Sequence, residues 1–344
     1  MIQAINWNKK HDEYTTIFFE QNQNQYWRET EFSMNRDIDS YQKMTIEEID
    51  IFKKVFAGLT FLDSNQAAEG MPLISMHIQD GHQKAVLSWM AFMEHVHAKS
   101  YSYIFTSLLS NTDIDRLFTW AEDNPLLQRK GTLINEHYLN LFKPDVSELD
   151  LYKALVASVA LENIQFYSGF FYPLWLGGHG RMRASSEIIT KIMQDESIHG
   201  QFVGILAQES FMRLPLEQRA EALAFQESLF EEVYQTELLY TKDIYGDHLV
   251  NDKGSEVLLR ELVEDFLRYN INKACANLGV VSKFDETHIH SVVESGLKTT
   301  GGTHDFFSTK SKNYVMPTEN IRDVVDKNFL HPQVEEVLSF LHRK

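Results

Sequence analysis

Two copies of the pattern Glu-x-x-His, each preceded by an acid within an apolar segment, constrain the fold of this 344-residue chain more than any other feature. The six residues are, in chain order, Asp63, Glu94, His97, Glu162, Glu196 and His199. Residues three apart lie on one face of a helix, so each unit points a carboxylate and an imidazole in the same direction. The upstream acids precede the units by 31 residues (63 to 94) and 34 residues (162 to 196), which fits one helix, a turn and a return along the next helix. The sequence therefore predicts four helices that bring all six side chains to one depth of a bundle.

Acids on an apolar helix face need a cationic partner, because burying an unpaired carboxylate costs several kcal/mol or forces its protonation. Two divalent metal ions would balance four carboxylates, and oxygen and imidazole ligands without thiolate favour iron or manganese over a structural zinc. One acid from each of two helices and Glu-x-x-His from each of two others is the ligand pattern of ferritin-like di-iron and di-manganese proteins. The alternative is that Asp63 and Glu162 pair with Lys or Arg and that the histidines are ordinary core residues, which makes the matched spacing a coincidence.

The rest of the sequence favours an all-α protein with a ferritin-like helical bundle. Apolar residues recur at every third or fourth position in residues 46–62, 84–108, 150–172, 185–210 and 217–244. The alternation typical of half-buried strands is hard to find, and the seven prolines leave long stretches such as 145–172 and 174–214 without this helix breaker. No linker rich in Gly, Ser or Pro divides the chain before about residue 297. We predict one ferritin-like domain over residues 1–297 and a flexible C-terminal tail over 298–344, where helical periodicity is lost.

Charge and cysteine content narrow the partners and the compartment. The formal net charge of −17 repels nucleic acid and anionic membranes, and no basic patch counteracts it, so neither is expected as a partner. Cys275 is the single cysteine, which excludes an intrachain disulfide and a cysteine-based zinc site and favours the cytoplasm. No run approaches the roughly 18 apolar residues that span a bilayer.

Tyr101 lies one helical turn after the first histidine and on the same face, which predicts a phenol beside the metals. Three apolar residues at helical spacing from the second set of ligands point toward the same layer: Phe166, Phe170 and Ile192. They predict a dry pocket that shields an oxidised tyrosine from water and reductants. The alternative is a structural core tyrosine.

Other groups have ligand chemistry in the wrong surroundings. His95 points about 100° around the helix from Glu94, so we predict that it is not a ligand. Asp285 and His288 have ligand spacing, but no apolar helix surrounds them, which predicts a solvated turn. The segment GGHGRMR at 177–183 follows no predicted strand and is not interpreted as a nucleotide-binding loop.

Longer segments around these residues resemble the small (beta) subunit of class I ribonucleotide reductase. FMEHVHAKSYSYIF, LENIQFYSGFFYP and QDESIHG are most similar to the class Ib form. The similarity runs from NQYWRE near the start through AGLTFLDSNQ to THDFFSTKSKNYVM. The resemblance implies a ferritin-like fold and a dinuclear manganese or iron site that, with an oxygen-derived oxidant, generates a stable tyrosyl radical. All six ligand positions of the family are intact in this sequence.

The resemblance also implies roles for individual residues. One metal would be bound by Asp63, Glu94 and His97 and the other by Glu162, Glu196 and His199, with bridging carboxylates. Tyr101 would hold the radical. Asp195 matches the family's acid that links a ligand histidine to a tryptophan, here Trp27, and Tyr314 matches the tail tyrosine that continues the radical path to the large subunit. The residues alone favour a packing role for Trp27 and an ordinary tail aromatic for Tyr314.

The implied partners are a second copy of the chain in a homodimer, a large (alpha) subunit that binds ribonucleoside diphosphates, and a small flavodoxin-like activating protein. The similarity to class Ib favours manganese in the cell. One departure concerns the tail, which continues past DVVDKNF to PQVEEVLSFLHRK, whereas family tails commonly end in an acidic, aromatic docking stretch. Phe329 or the VLSFL segment is the expected anchor.

Three functions compete at this point. The first is the radical-generating subunit of ribonucleoside-diphosphate reductase; the others are a ferritin-like di-metal oxidase or oxygenase acting on a small molecule, and metal storage. Tyr101, Trp27 and Tyr314 favour the first, because neither of the others needs a relay of oxidisable residues that ends on a tail.

Overall fold

The computed structural model describes residues 4–9, 12–246, 248–250 and 257–298, and nearly all its regular structure is helical. The α-helices are α1 (Thr15–Asn24), α2 (Asn35–Tyr41), α3 (Ile46–Asn65), α4 (Met71–His77), α5 (Gly81–Leu108), α6 (Asn111–Asp123), α7 (Pro125–Leu139), α8 (Glu148–Ala160), α9 (Tyr167–Gly178), α10 (Arg183–Arg213), α11 (Leu216–Tyr245), α12 (Arg260–Asn277) and α13 (Ser291–Lys298). Two π-helical turns, Gln66–Gly70 and Leu161–Gln165, join α3 to α4 and α8 to α9. Short 3-10 turns lie at Glu29–Glu31 and Asn140–Phe142. The strands β1 (His248–Val250) and β2 (Val257–Leu259) form a short antiparallel pair with Leu249 opposite Leu258.

Short polar side chains fix where the long helices begin. Thr45 accepts a hydrogen bond from the Glu48 amide (3.2 Å), and the Glu48 carboxylate accepts one from the Thr45 amide (2.9 Å), which forms a capping box at the start of α3. Asp80 starts α5 by accepting hydrogen bonds from the amides of His82 (2.8 Å) and Gln83 (3.0 Å). These caps set the register of the two helices that carry the first three predicted ligands.

Four helical rods surround the centre of the bundle. They are α3 with its π-turn, α5, the continuous pair α8 and α9, and α10. Helix α3 packs against α5 and α9, and α10 packs against α5, α8 and α9. Ala154, Ala157 and Ala160 on α8 are fully buried, and their small side chains let the neighbouring rods approach closely. The segments predicted to carry the ligands are therefore mutual neighbours in the core.

Glycines bring α13 directly onto α9. A Cβ atom at Gly178 would lie 2.0 Å from the Val292 carbonyl oxygen, and one at Gly296 would lie 2.2 Å from the Leu174 carbonyl oxygen. Only residues without a Cβ atom permit this approach. Helix α13 is therefore packed directly against α9.

The predicted all-α, ferritin-like fold is confirmed, with β1 and β2 as a minor addition. Pro173, which separates two proline-free stretches of the sequence, lies inside α9 and does not end it. An internal proline costs about 3 kcal/mol, but α9 buries Phe170, Phe171 and Leu174 completely, and each large apolar side chain contributes about 1.5–3 kcal/mol. Within the described ranges no helix is long and apolar enough to cross a membrane. The division into residues 1–297 and 298–344 stays a prediction, since residues 299–344 lie outside the described part of the chain.

Candidate metal centre

The structure brings all six predicted ligands together in the middle of the bundle. Asp63 lies in the last turn of α3, and Glu162 lies in the π-turn Leu161–Gln165. The Glu-x-x-His units lie in the middle of α5 and α10, as the sequence predicts. All six side chains have no solvent-exposed surface. Four carboxylates buried at one place cannot all remain charged without compensating cations.

The six side chains form two overlapping clusters, in each of which the donor atoms lie within 4.8 Å of one another. The first cluster contains Asp63, Glu94, His97 and Glu196, and the second contains Glu94, Glu162, Glu196 and His199. Glu94 and Glu196 belong to both clusters. Two carboxylates shared by two clusters are arranged to bridge two ions.

The imidazoles face the carboxylates through their Nδ1 atoms. His97 Nδ1 lies 3.2 Å from Asp63 Oδ1, 3.4 Å from Glu94 Oε2 and 2.9 Å from Glu196 Oε1. His199 Nδ1 lies 2.7 Å from Glu94 Oε1 and 3.2 Å from Glu196 Oε2. Each Nδ1 atom therefore points into the space between the acids, where an imidazole that ligates a metal must direct its lone pair.

Electrostatics mark the two imidazoles as substitutes for missing positive charge. Burial by itself lowers the pKa of His97, but the charge of Glu196 and a hydrogen bond with Asp195 raise it well above its usual value. Burial likewise lowers the pKa of His199, and the charge of Glu94 reverses this and raises it. In the metal-free protein the cluster thus retains protons on both imidazoles.

The carboxylates differ according to their neighbours. Burial raises the pKa of Asp63 well above its usual value. Burial also raises the pKa of Glu162, and the nearby charge of Glu94 raises it further. Burial pushes the pKa of Glu196 upward too, but a hydrogen bond with Glu162 and the charge of His97 bring it well below its usual value. Protons and shared hydrogen bonds therefore compensate the negative charge that metal ions would otherwise neutralise.

The hydrogen bonding of the carboxylate oxygens shows whether these residues could hold two metal ions. Several buried carboxylate oxygens of the clusters accept no well-aligned hydrogen bond from a described residue, namely Asp63 Oδ2, both oxygens of Glu94, Glu162 Oε2 and Glu196 Oε1, although imidazole Nδ1 atoms lie 2.7 Å from Glu94 Oε1 and 2.9 Å from Glu196 Oε1. Unsatisfied buried oxygens are costly and call for an ion or another ligand. Hard carboxylate oxygens with one imidazole for each cluster suit manganese or iron. The residues fit a dinuclear centre.

Both π-turns lie beside the two clusters. Such turns are frequent at functional sites. The turn Gln66–Gly70 begins directly after α3 and brings Gln66 against Glu162. Gln66 Nε2 also donates to Ser158 Oγ (3.0 Å), and Gln66 Oε1 accepts from the Tyr138 hydroxyl (2.6 Å). The Glu162 carboxylate is therefore held by a hydrogen-bond chain that reaches α7.

Tyr101 is completely buried on α5, one turn after His97, and its hydroxyl lies beside the Asp63 carboxylate. Burial raises the pKa of Tyr101 well above its usual value, and the charge of Asp63 adds to the effect. The described ring neighbour of Tyr101 is Phe56 on α3, with ring centroids 5.8 Å apart. Tyr101 is thus a neutral phenol in a dry site beside the acids.

A second chain of hydrogen bonds leads from the first cluster toward the N-terminal segment. Asp195 is buried and accepts hydrogen bonds from His97 Nε2 (3.0 Å) and Trp27 Nε1 (2.7 Å), both on Oδ2. Gln25 Nε2 donates to its other oxygen, Oδ1, at 2.7 Å. The Trp27 and His97 rings are nearly parallel, with centroids 6.0 Å apart. Trp27 is 1% exposed.

The remaining predictions fall into three groups. Phe166, Phe170 and Ile192 are fully buried, and the first two stack with centroids 5.7 Å apart, but their role as a radical pocket stays a prediction. His95 is exposed and outside both clusters, as predicted. Tyr314 lies outside the described residues.

Sequence reasoning missed three residues that contact the predicted site. They are Gln25, which bonds Asp195; Gln66, which bonds Glu162; and Phe56, which packs on Tyr101. Gln66 and Phe56 lie three residues after and seven residues before Asp63, so helical spacing alone could have identified both. No sequence signal marks Gln25 beyond its position two residues before Trp27.

Several known proteins are similar to this chain in both sequence and fold. A family model described as "Ribonucleotide reductase, small chain" matches residues 4–291. The ribonucleoside-diphosphate reductase subunit beta of Bacillus subtilis (strain 168) is 42% identical over 337 residues, which cover 97% of this chain and 98% of that protein. The ribonucleoside-diphosphate reductase 2 subunit beta of Escherichia coli (strain K12) is 34% identical over 331 residues, 95% of this chain and 98% of that one. The solved structure of Streptococcus sanguinis dimanganese(II)-NrdF matches with a TM-score of 0.78 and 36% identity over 86% of this chain and 100% of that chain.

Proposed function

This chain belongs to the ribonucleotide reductase small-chain family, and we propose that Tyr101 is the residue that stores its radical. Its function is that of a beta subunit of ribonucleoside-diphosphate reductase, which generates a tyrosyl radical for the reduction of ribonucleotides by a large (alpha) subunit. The observation that carries the residue assignment is the pair of buried clusters sharing Glu94 and Glu196, one helical turn from Tyr101.

The proposed ligand division follows the two clusters. Asp63 and His97 belong to the first cluster alone, and Glu162 and His199 belong to the second alone. We assign the shared residues, Glu94 and Glu196, as the bridges. A metal pair held by these residues would supply, with an oxygen-derived oxidant, the oxidising power for one-electron oxidation of Tyr101.

The surroundings of Tyr101 suit a stored radical. Its raised pKa keeps the phenol protonated at rest, so oxidation must remove a proton together with the electron. Exclusion of water limits side reactions of the oxidised ring. The packing of Phe56 against Tyr101 supports this role, and we propose that Phe166, Phe170 and Ile192 complete the dry surroundings.

We propose that the radical leaves the centre through His97, Asp195 and Trp27. Short hydrogen bonds join these residues, and Asp195 holds both ring N–H groups on one oxygen. Gln25 on the other oxygen restrains the rotation of Asp195. Tyr314 of the tail is proposed as the next carrier, toward the cysteine of the large subunit.

Membership of the family also supports proposals about the partners of the chain and its metal. We propose a homodimer in the cytoplasm, activated by a small flavodoxin-like protein. The solved relative from Streptococcus sanguinis carries two manganese(II) ions, and manganese is proposed as the metal used in the cell. A ferritin-like oxidase or storage protein is disfavoured, because the similarity to reductase beta subunits covers nearly the whole chain.

A reconstitution assay tests this function. The manganese-loaded, oxidised chain is mixed with a class Ib large subunit, and deoxyribonucleotide formation is measured for the unmutated protein and for Tyr101→Phe. We expect deoxyribonucleotide formation with the unmutated protein and none with Tyr101→Phe. Equal turnover from both proteins would reject Tyr101 as the radical residue, and oxidation of a small molecule without ribonucleotide reduction would favour the oxidase.

A further inference from the structure

We propose that α7, which carries none of the six ligands, positions Glu162 through two buried contacts. Tyr138 acts on the Glu162 side chain by way of Gln66, and Lys130 acts on its backbone by way of Gln165. This inference rests on the proposed metal centre and adds positioning residues to it. Lys130 and Tyr138 are eight residues apart on α7, about two turns, so both face the rod that contains Glu162.

The first contact fixes the direction of the Glu162 carboxylate. Gln66 Nε2 donates to Glu162 Oε1, and Glu162 Oε2 stays free of donors among the described residues and lies 3.8 Å from His199 Nδ1. One oxygen is thus held by the protein, and the other faces the second cluster. Oε2 is therefore the Glu162 oxygen that would be available to a metal ion.

The Tyr138 hydroxyl decides which way the Gln66 amide points. It donates to Gln66 Oε1 at 2.6 Å, so Gln66 Nε2 must face Glu162. If the amide turned over, an amide oxygen would face the carboxylate and would repel it. Burial raises the pKa of Tyr138 well above its usual value, which keeps its proton available for this bond.

The contact between Gln66 and Tyr138 needs a glycine at position 70. A Cβ atom at Gly70 would lie 2.1 Å from Gln66 Oε1 and 2.7 Å from the Tyr138 ring. Any larger residue at position 70 would push apart the two groups that set the amide. Gln66, Ser158 and Tyr138 are all fully buried, so water does not compete for their hydrogen bonds.

The second contact holds the π-turn itself. Lys130 Nζ donates to the Gln165 carbonyl oxygen (2.9 Å) and to Ser168 Oγ (3.3 Å), and it pairs with Glu237 (2.9 Å). The side chain of Gln165 returns a hydrogen bond from Nε2 to the Lys130 carbonyl oxygen at 3.0 Å. Where a π-turn passes into an α-helix the backbone pairing changes, and here the Gly169 amide donates to Phe166. Lys130 therefore caps the carbonyl at the end of the turn that carries Glu162.

A fully buried lysine needs such a setting. Burial lowers the pKa of Lys130, and the carboxylate of Glu237 opposes this. A buried ion pair of this kind adds little stability compared with apolar residues of similar size. Its geometric role, which is to fix one carbonyl and one helix start, accounts for the position of the charge.

The experiment measures manganese(II) binding to metal-free protein by titration and by electron paramagnetic resonance. Tyr138→Phe removes only the hydroxyl that orients Gln66. We expect the coupled signal of a manganese pair to give way to the signal of isolated manganese, with binding at the Glu162 cluster about 10- to 100-fold weaker. The melting temperature of the metal-free protein is measured alongside, because a merely structural role would change stability and leave the coupled signal intact.

Tyr152→Phe is the matched control. Tyr152 is also a buried tyrosine, packed on Phe211, but lies ten residues before Glu162 on the same rod, about 15 Å away. It is expected to keep the coupled signal. Gln66→Met should match Tyr138→Phe, and the double variant should be no weaker than Gln66→Met, since both substitutions break one chain.

The backbone contact is tested with Lys130→Met combined with Glu237→Gln, which removes both charges together. Loss of the coupled signal supports the role of Lys130, and retention of the coupled signal overturns it. A Tyr138→Phe protein with unchanged affinity and coupled signal overturns the role of Tyr138. If the unmutated chain itself fails to bind a manganese pair, the proposed function fails instead, so the two failures are distinguishable.

Discussion

Replacing Asp195 with Asn tests how the centre is connected to Trp27. The Asp195 carboxylate accepts three hydrogen bonds, from His97 Nε2 and Trp27 Nε1 on Oδ2 and from Gln25 Nε2 on Oδ1. An asparagine has one acceptor oxygen and one NH₂ group at these positions. Its oxygen can keep the two ring N–H groups only if its NH₂ group faces the amide of Gln25.

That arrangement places two donors against each other. Gln25 could turn its amide over, but Gln25 Oε1 already accepts a hydrogen bond from Gln21 Nε2 at 2.9 Å. The opposite orientation of the asparagine would direct NH₂ at both ring N–H groups. It would force the His97 proton onto Nδ1, which is the atom that faces the metals.

The expected cost follows from these contacts. A hydrogen bond to a charged acceptor is worth about 1.5–3 kcal/mol and one to a neutral acceptor about 0.5–1.5 kcal/mol, so each retained bond weakens by roughly 1 kcal/mol. Partners of ligand histidines typically alter metal affinity about 10- to 100-fold, or about 1.4–2.8 kcal/mol. We expect Asp195→Asn to weaken manganese binding within that range, chiefly in the cluster that contains His97.

The assay has three readouts: the dissociation constant for manganese(II), the tyrosyl signal at saturating metal, and turnover with the large subunit. Asp195→Asn should form the radical at high metal concentration and yet lose turnover, because the connection to Trp27 is altered. Gln25→Leu is the control that leaves Oδ2 untouched, and its effect on affinity should stay below about tenfold. Unchanged affinity and unchanged turnover in Asp195→Asn would refute the connection.

Three further predictions concern pH, metal and the tail. In the folded, metal-free protein the pKa values of His97, His199 and Asp63 are raised, so the folded chain binds more protons than the unfolded chain. The stability that the two histidines contribute is fully present below about pH 6.5, which is their pKa in the unfolded chain. It is lost as the pH rises through their pKa values in the folded protein. The melting temperature of the metal-free protein should therefore fall between pH 6 and pH 9. A melting temperature that rises with pH would contradict a protonated cluster. Metal loading should raise the free energy of unfolding by about 2.7 kcal/mol for each of the two metal sites when the free metal is at 100 times its dissociation constant, and chelation should reverse this in calorimetry. No change in melting temperature would argue against a metal in the core. Tyr314→Phe, and separately truncation after residue 325, should abolish turnover with the large subunit and leave the tyrosyl signal unchanged, and normal turnover in either variant would reject the tail assignment for that variant.

The sequence predicted the fold class and the convergence of the ligands because both depend on helical period. Residues three apart share a helix face whatever the tertiary details, which is why the Glu-x-x-His units are found pointing into the bundle. The apolar surroundings of Asp63 and Glu162 identified them as acids that need a cation. The helical periodicity that argued against a strand-rich fold agrees with the described residues, in which the strands are limited to the short pair β1 and β2.

The details that the sequence did not predict depend on the π-turns. An extra residue in Leu161–Gln165 rotates everything after it by about 100° relative to a regular helix. Counting by a regular helical period from Glu162 therefore does not settle which way Phe166 and Phe170 point, and their place around Tyr101 stays a prediction, whereas the contact of Phe56 with Tyr101 was not predicted. Helical spacing places Gln66 on the face of Asp63, but it does not identify the groups that Gln66 bonds, because the partner of a single polar residue in an apolar helix depends on the fold.

The most direct test of the account is electron paramagnetic resonance combined with elemental analysis on metal-loaded, oxidised protein. The account predicts two metal ions for each chain in both the unmutated protein and Tyr101→Phe, with an organic tyrosyl signal in the unmutated protein only. A tyrosyl signal that persists in Tyr101→Phe, or its absence from fully loaded unmutated protein, would contradict it.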